Sequence, residues 1–305
     1  MNTVFDTRMM ARALQLARRG QHIARPNPHV GCVLVRDGEV VGEGFTQRAG
    51  GNHAEVEAMA SAGDASGATA YVTLEPCSHT GKTGPCADAL VAAGVTRVVA
   101  AMKDPNPQVS GQGLDKLRGG GVEVSCGLLE NEARVVIAGF IARMERGRGR
   151  VRAKLAMSLD GRTAMASGES QWITGAAARA DVQRLRASSC AIVTGGGTVL
   201  DDDCALTVRD DSIADLTSMP PPLRVVLDSG LRTPAGAKVL DGSAPTLLCH
   251  DAASPVPGHI EASGCERVTL PGGPGGLDLH ALMDELAARQ ANEILVESGP
   301  RLAGA

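Results

Sequence analysis

Apolar positions recur at helical spacing through MMARALQLARRG, with Thr7 placed to cap the helix and Gly20 to end it. Two Val-rich runs follow in VGCVLVRDGEVVGEGF, joined by Asp37-Gly38, a dipeptide favoured in tight hairpin turns. Beyond His53 the pattern alternates: a helix, the strand ATAYVTL, a helix at CADALVAAG, then the strands TRVVAAM and VEVSCG. Such alternation predicts an α/β layered domain, closing near Phe140. The segment RMERGRGRVRAK (143–154) has six basic residues and two glycines and reads as a linker; a nucleic-acid patch is the sharper alternative, but no aromatic residue accompanies it. A second α/β unit is expected after it. Its strands fall at VRAKLAMSLDG, CAIVTGGG, LRVVLDSG, APTLLCH, RVTL and EILVESG, with helices before the second strand and at DLHALMDELAARQ. The boundaries so read are 1–147 and 148–305.

With 305 residues the chain can bury two ordinary cores. Net charge is −4, which gives no global attraction to nucleic acid or anionic membrane, and aromatics make up only 2%, so base-stacking platforms are scarce. A small-molecule substrate is the expectation. No run approaches the ~18 apolar residues that span a bilayer, and eight cysteines without a secretory pattern suit a reducing, cytoplasmic setting. Of these, Cys32, Cys126, Cys190, Cys204, Cys249 and Cys265 read as structural thiols buried in or beside strands.

The remaining two cysteines carry chemistry. Cys77 and Cys86 each follow a proline where a strand or loop hands over to a helix, a position that favours thiolates. With His53 they offer one imidazole and two thiolates, leaving a fourth tetrahedral position open for water on a catalytic zinc. Glu55, two residues after His53 in the first helical turn, is the expected proton shuttle. His79 could instead close the shell and make the metal structural. A zinc-stabilised binding module is the alternative of a different class, and it predicts that Glu55→Gln is silent.

HAE, then EPCSHTGKTGPC, resembles the zinc-dependent cytidine-deaminase superfamily, with a loop longer than the short Cys-x-x-Cys form. Together with RPNPHVGCVLV and DPNPQVSGQG, it is similar to the deaminase half of bifunctional riboflavin-biosynthesis enzymes. That resemblance implies a cytidine-deaminase-like α/β/α layered domain. It also implies hydrolytic deamination of 2,5-diamino-6-(5-phosphoribosylamino)pyrimidin-4(3H)-one, with Asn27, His79, Lys82, Asp104 and Asn106 lining the pocket. Rival deaminases acting on a nucleoside or an RNA base would leave the second half of the chain without a purpose.

In the second half, CAIVTGGGTVLDDD and EILVESGPRLAGA each run a strand into glycines, a weak phosphate-binding signal by itself. Their surroundings, KLAMSLDGRTAMASGESQWIT, RVVLDSGLR and VESGPRLAGA, resemble the dihydrofolate-reductase-like half of the same family. The resemblance implies NADPH contacts at Ala156, Trp172, Thr198, Asp202, Ser229 and the loop Gly299, Pro300, Arg301, Leu302, Ala303, Gly304 and Ala305. It implies sugar-phosphate contacts at Ser170, Arg186, Leu206, Arg209 and Glu297, with Lys154 and Asp160 close to the reacting ribose. Arg186 and Arg209 suit a forked grip on phosphate. The family continues past this end point. A reductase domain incomplete at its C-terminus is therefore implied, with EILVESG exposing an unpaired edge and the alternative of an active deaminase joined to an inactive reductase. The expected partners are the pyrimidine ribose phosphate and further copies of the chain.

Overall fold

The two Val-rich runs become β1 (Gly31–Arg36) and β2 (Glu39–Phe45), an antiparallel hairpin in which Asp37 and Gly38 both take positive φ, 52° and 83°. That backbone matches the twist of a tight hairpin, and Gly38 adopts it without steric cost. The computed structural model describes residues 3–78, 84–169, 172–213, 216–273 and 275–305. The chain divides into two compact units, Met1–Arg146 and Gly147–Ala305.

In the first unit, β1 also pairs antiparallel with β3 (Thr69–Val72), and β3, β4 (Arg97–Ala100) and β5 (Glu123–Cys126) run parallel, giving the order β2-β1-β3-β4-β5. Helices α1 (Thr3–Arg19), α2 (Ala54–Ala62), α3 (Cys86–Ala92) and α4 (Gln112–Gly119) accompany this sheet, and α5 (Glu130–Val136) and α6 (Ala138–Arg146) end the unit. Gly44 explains how closely α2 lies on β2: a Cβ there would stand 2.3 Å from the Ala54 carbonyl oxygen. Three departures from the sequence pattern occur here. Helix α1 begins at Thr3, so Thr7 lies inside it rather than capping it. The buried Asp6 carboxylate rewards those extra residues by accepting from Tyr71 Oη (2.6 Å) and from both terminal nitrogens of Arg97 (3.1 and 3.0 Å). The basic segment 143–154 is not a linker, since α6 runs to Arg146 and β6 (Arg150–Lys154) starts four residues later. Helices α4 and α5 lie in stretches where no helix is legible.

The second unit holds a parallel sheet in the order β10-β9-β8-β7-β13-β6. Its strands are β6, β7 (Ala191–Gly195), β8 (Leu223–Leu227), β9 (Thr246–His250), β10 (Glu266–Thr269) and β13 (Glu293–Glu297); β11 (Gly272–Gly273) and β12 (Gly276–Leu277) form a separate hairpin. The inner strands β7, β8, β9 and β13 are mostly apolar without alternation because both their faces are covered, whereas the edge strands β6 and β10 are polar-rich and largely exposed. One face packs Val193, Val225, Leu247 and Ile294 against Leu282 and Leu286 of α10 (Leu279–Ala288); the other packs Ile192, Val226 and Leu248 against Val199, Leu206, Val239 and Ile260. Helices α7 (Ala176–Ala187), α8 (Gly196–Asp202), α9 (Gly258–Ala262) and α11 (Pro300–Ala303) complete the unit. The segment EILVESG forms no free edge: β13, the last strand in sequence, is inserted between β7 and β6 and bonded on both sides. The edge strands are β10 and β6. Among the described residues no helix is long and apolar enough to cross a membrane.

Candidate active sites

Three segments of the first unit converge. His53 is the extended residue (φ −77°, ψ 165°) that opens α2; Cys77 follows β3 in a loop; Cys86 is the first residue of α3. Backbone groups fix the two thiols together: the Cys86 amide donates to Cys77 Sγ (3.3 Å) and the Ala87 amide to the Cys77 carbonyl (3.1 Å). His53 Nδ1 stands 3.3 Å from Cys86 Sγ and 3.7 Å from Cys77 Sγ, and the three ligand atoms lie within 4.8 Å of one another. Among the described residues this is the one such group of metal-binding type.

The donors fit zinc. An imidazole and two sulfurs are its preferred ligands, and three of them leave one position for solvent. The Cys77 thiol is held well below the ordinary thiol range, to about 4, chiefly because the Cys86 thiol donates to it, helped by His53 and the Cys86 amide. Cys86 is pushed upward by that same neighbour, by burial and by the Glu55 charge. Glu55 is 4% exposed, and its carboxyl is pushed up to about 7 by burial, the Cys77 charge adding to the effect and the Cys86 hydrogen bond opposing it.

The other expected pocket residues of this unit have these surroundings. Asp104 is buried, and its Oδ1 accepts from the Asn106 amide (2.8 Å). Asn106 in turn accepts the amides of Gln108, Val109 and Ser110, so both residues shape a loop as well as offering polar groups. Asn27 lies in the loop between α1 and β1, its amide donating to the Ala24 carbonyl (2.9 Å). His79 and Lys82 lie outside the described residues.

In the second unit a cleft of about 1370 Å³ opens at the carboxyl ends of β6 and β13, the usual binding edge of an open parallel sheet. It brings together Lys154, Ala156, Trp172, Thr198, Asp202, Arg186, Leu206, Arg209, Glu297, Gly299 and Pro300. Trp172 is no core filler: it is 73% exposed, with the Arg179 guanidinium 4.5 Å from its ring centroid. Arg186 lines the cleft beside Glu297, another of the expected contacts. Its fork is already filled by Glu297 (Nε–Oε1 2.6 Å, Nη2–Oε2 3.0 Å), and Nη1 donates to the Thr207 carbonyl (2.9 Å). Lys154 Nζ reaches the same carboxylate at 3.8 Å. Arg209 is exposed and carries no ion pair among the described residues, which leaves its charge for a ligand.

Other expected contacts lie elsewhere. Asp160 sits in an exposed turn, accepting from Ser158 Oγ (2.5 Å) and 3.7 Å from Arg162, away from the cleft lining. Ser229 follows β8, its carbonyl accepting from Asp251 and Ser254, and it too is not among the lining residues. Arg301, Leu302 and Ala303 belong to α11, followed by Gly304 and Ala305; of the loop 299–305, Gly299 and Pro300 line the cleft. Ser170 is outside the described residues. Cys204 lines the cleft and Cys126 is exposed, so neither is a plain buried thiol, whereas Cys32 and Cys249 are buried.

Two features escaped the sequence. Glu75 is 3% exposed and accepts four backbone amides, and Arg224, fully buried, bonds to Thr246, Asp241 and the carbonyls of Lys238 and Ala244. Most of their partners are main-chain atoms, which leave no residue-type signal.

A zinc-type ligand set drawn from two helix starts and a loop, joined in one chain to a parallel-sheet domain with an open cleft, fits a two-domain, zinc-dependent class of enzyme. Residues 3–102 match the family of the cytidine and deoxycytidylate deaminase zinc-binding region, and residues 150–305 match the RibD C-terminal domain. The riboflavin biosynthesis protein RibD of Escherichia coli K12 is 51% identical over 98% of this chain and 83% of its own length; that of Haemophilus influenzae is 48% identical over 98% and 81%. Among solved structures, Acinetobacter baumannii RibD has a TM-score of 0.92 at 44% identity, covering 99% of this chain and 83% of that one. The Thermotoga maritima diaminohydroxyphosphoribosylaminopyrimidine deaminase/5-amino-6-(5-phosphoribosylamino)uracil reductase has 0.84 at 35%, covering 98% and 82%. This chain belongs to the RibD family.

Proposed function

We propose that the chain catalyses two consecutive steps of riboflavin biosynthesis. The first is hydrolytic deamination of 2,5-diamino-6-(5-phosphoribosylamino)pyrimidin-4(3H)-one, and the second is NADPH-dependent reduction of the ribosyl chain to ribityl. The observation that carries the reading is the convergence of His53, Cys77 and Cys86 beside a buried Glu55. His53, Cys77 and Cys86 would hold zinc, which when bound supplies a Lewis acid that lowers the pKa of a water in the open position. Glu55 would take a proton from the attacking water as its oxygen bonds to the ring carbon bearing the 2-amino group, and would deliver that proton to the ring nitrogen. The second proton passes through the same carboxyl to the amine, which leaves as ammonia. A buried carboxyl, which burial pushes above its ordinary range, is suited to returning a proton as well as accepting one. Asn27, His79, Lys82, Asp104 and Asn106 would orient the pyrimidine and its phosphate.

In the second unit, NADPH, when bound, supplies hydride for C1 of the ring-opened ribose. Ala156, Trp172, Thr198, Asp202 and the start of the loop 299–305 would hold it in the cleft. Arg209 would take the substrate phosphate, while Arg186, clamped by Glu297, would keep that carboxylate and Lys154 in place. Both thiol ligands require a reducing, cytoplasmic setting to remain free. The test is Glu55→Gln in the full chain loaded with zinc. Ammonia release is expected to fall by 100-fold or more, roughly the contribution of one positioned acid–base group, with zinc content and NADPH oxidation on the deaminated intermediate unchanged. Full ammonia release by the variant would refute the reading.

A further inference from the structure

Glu75 lies two residues before Cys77, is 3% exposed, and accepts from the main chain of a different segment with both oxygens. Oε2 takes the amides of Asp104 (3.1 Å) and Gly111 (2.9 Å), the two ends of the loop that contains Asn106. Oε1 takes the amides of Gly113 (2.8 Å) and Leu114 (3.3 Å) in the first turn of α4, which have no partner within the helix. One carboxylate thus closes the 104–111 loop and anchors the helix behind it. The approach is tight: a Cβ on Gly113 would stand 1.9 Å from the Pro76 carbonyl oxygen, adjacent to Cys77.

The geometry points to Glu75 as a positioning residue of the deaminase. Both its oxygens are taken by backbone amides, through which it registers the Asp104–Asn106 segment against the loop that carries Cys77. The inference rests on the deaminase reading above, with Asp104 and Asn106 facing the pyrimidine. Charge-assisted hydrogen bonds to backbone amides are the strong kind, and Gln at this place would turn one acceptor into a donor aimed at amides that also donate. The loop should then loosen while the metal ligands, held by their own backbone contacts, stay in place.

The experiment uses the full, zinc-loaded chain as wild type, Glu75→Gln and Gly113→Ala, the latter acting from the opposite side of the same contact. Both variants are expected to raise the KM for the diaminopyrimidine at least tenfold, with a smaller change in kcat, one zinc per chain retained, and NADPH oxidation by the other unit unchanged. Hydrogen exchange at the amides of Asp104, Gly111, Gly113 and Leu114 should quicken at least tenfold in Glu75→Gln, whatever the catalytic outcome. Wild-type KM and exchange in the variants would overturn the inference, as would loss of zinc together with activity, since Glu75 would then be supporting Cys77 itself. A wild-type chain that binds zinc but releases no ammonia would sink the deaminase reading, leaving the exchange result to judge the role of Glu75.

Discussion

Replacing Asp6 with Asn should destabilise the first unit by about 3 kcal/mol, because it removes one partner from a buried charged cluster while leaving the other behind. Asp6 is 4% exposed and accepts from Tyr71 at 2.6 Å and from Arg97 at 3.1 and 3.0 Å. Hydrogen bonds to a charged group contribute about 1.5–3 kcal/mol each, and breaking a buried pair costs about 3–5. The lower end applies because the Arg97 side chain is 18% exposed and keeps Glu123 at 3.5 Å. Urea unfolding of the full chain can be followed by the absorbance of Tyr71, its only tyrosine, which lies in this unit. The effect should depend on pH in a set direction. Arg97 chiefly holds the Asp6 carboxyl below its ordinary value of 3.8, so its contribution is complete above 3.8 and vanishes as the pH falls through the lower folded-state value. The gap between wild type and Asp6→Asn should therefore be widest near neutrality and narrow in acid. The Tyr71 hydroxyl, pushed up to about 12 first by burial and then by Asp6, should titrate lower in the variant. A difference below about 0.5 kcal/mol at neutral pH, the range of ordinary surface changes, would refute the reasoning, and so would a gap that persists in acid.

Gly44→Ala should cost about 1–3 kcal/mol through overpacking, since the new methyl would meet backbone of α2 at 2.3 and 2.5 Å. Because α2 begins directly after His53 and carries Glu55, ammonia release should fall in step with the melting temperature. In the second unit the two arginines should separate by assay. Arg186→Met is expected to destabilise by about 3–5 kcal/mol by stranding Glu297, whereas Arg209→Ala should alter stability by less than about 0.5 kcal/mol and raise the KM for the phosphorylated substrate. Equal KM effects with no stability difference would contradict that division.

The His53–Cys77–Cys86 cluster was legible in the sequence because imidazole and thiol are chemically distinctive, although only His53 and Cys86 stand at helix starts and Cys77 lies in a loop. Order within the sheets was not. The run EILV announces β13, but nothing local says that it slots between β7 and β6. Helix α4 hid because only eight residues, two of them glycine, form it, and because its start is capped by Glu75 from a distant loop rather than by a neighbour. The pairing of Arg186 with Glu297 was hidden for a related reason: the two stand 111 positions apart, and nothing local to either announces the other. Where partners are main-chain amides or remote carboxylates, residue identity carries no warning.

X-ray absorption at the zinc edge of the loaded chain tests the central claim most directly. Two sulfurs at about 2.3 Å, one imidazole nitrogen at about 2.0–2.1 Å and a single light atom from solvent are predicted, with the Cys86→Ser spectrum losing one sulfur. A shell closed by a fourth protein ligand, or one without sulfur, would contradict the assignment of His53, Cys77 and Cys86 as a catalytic zinc site.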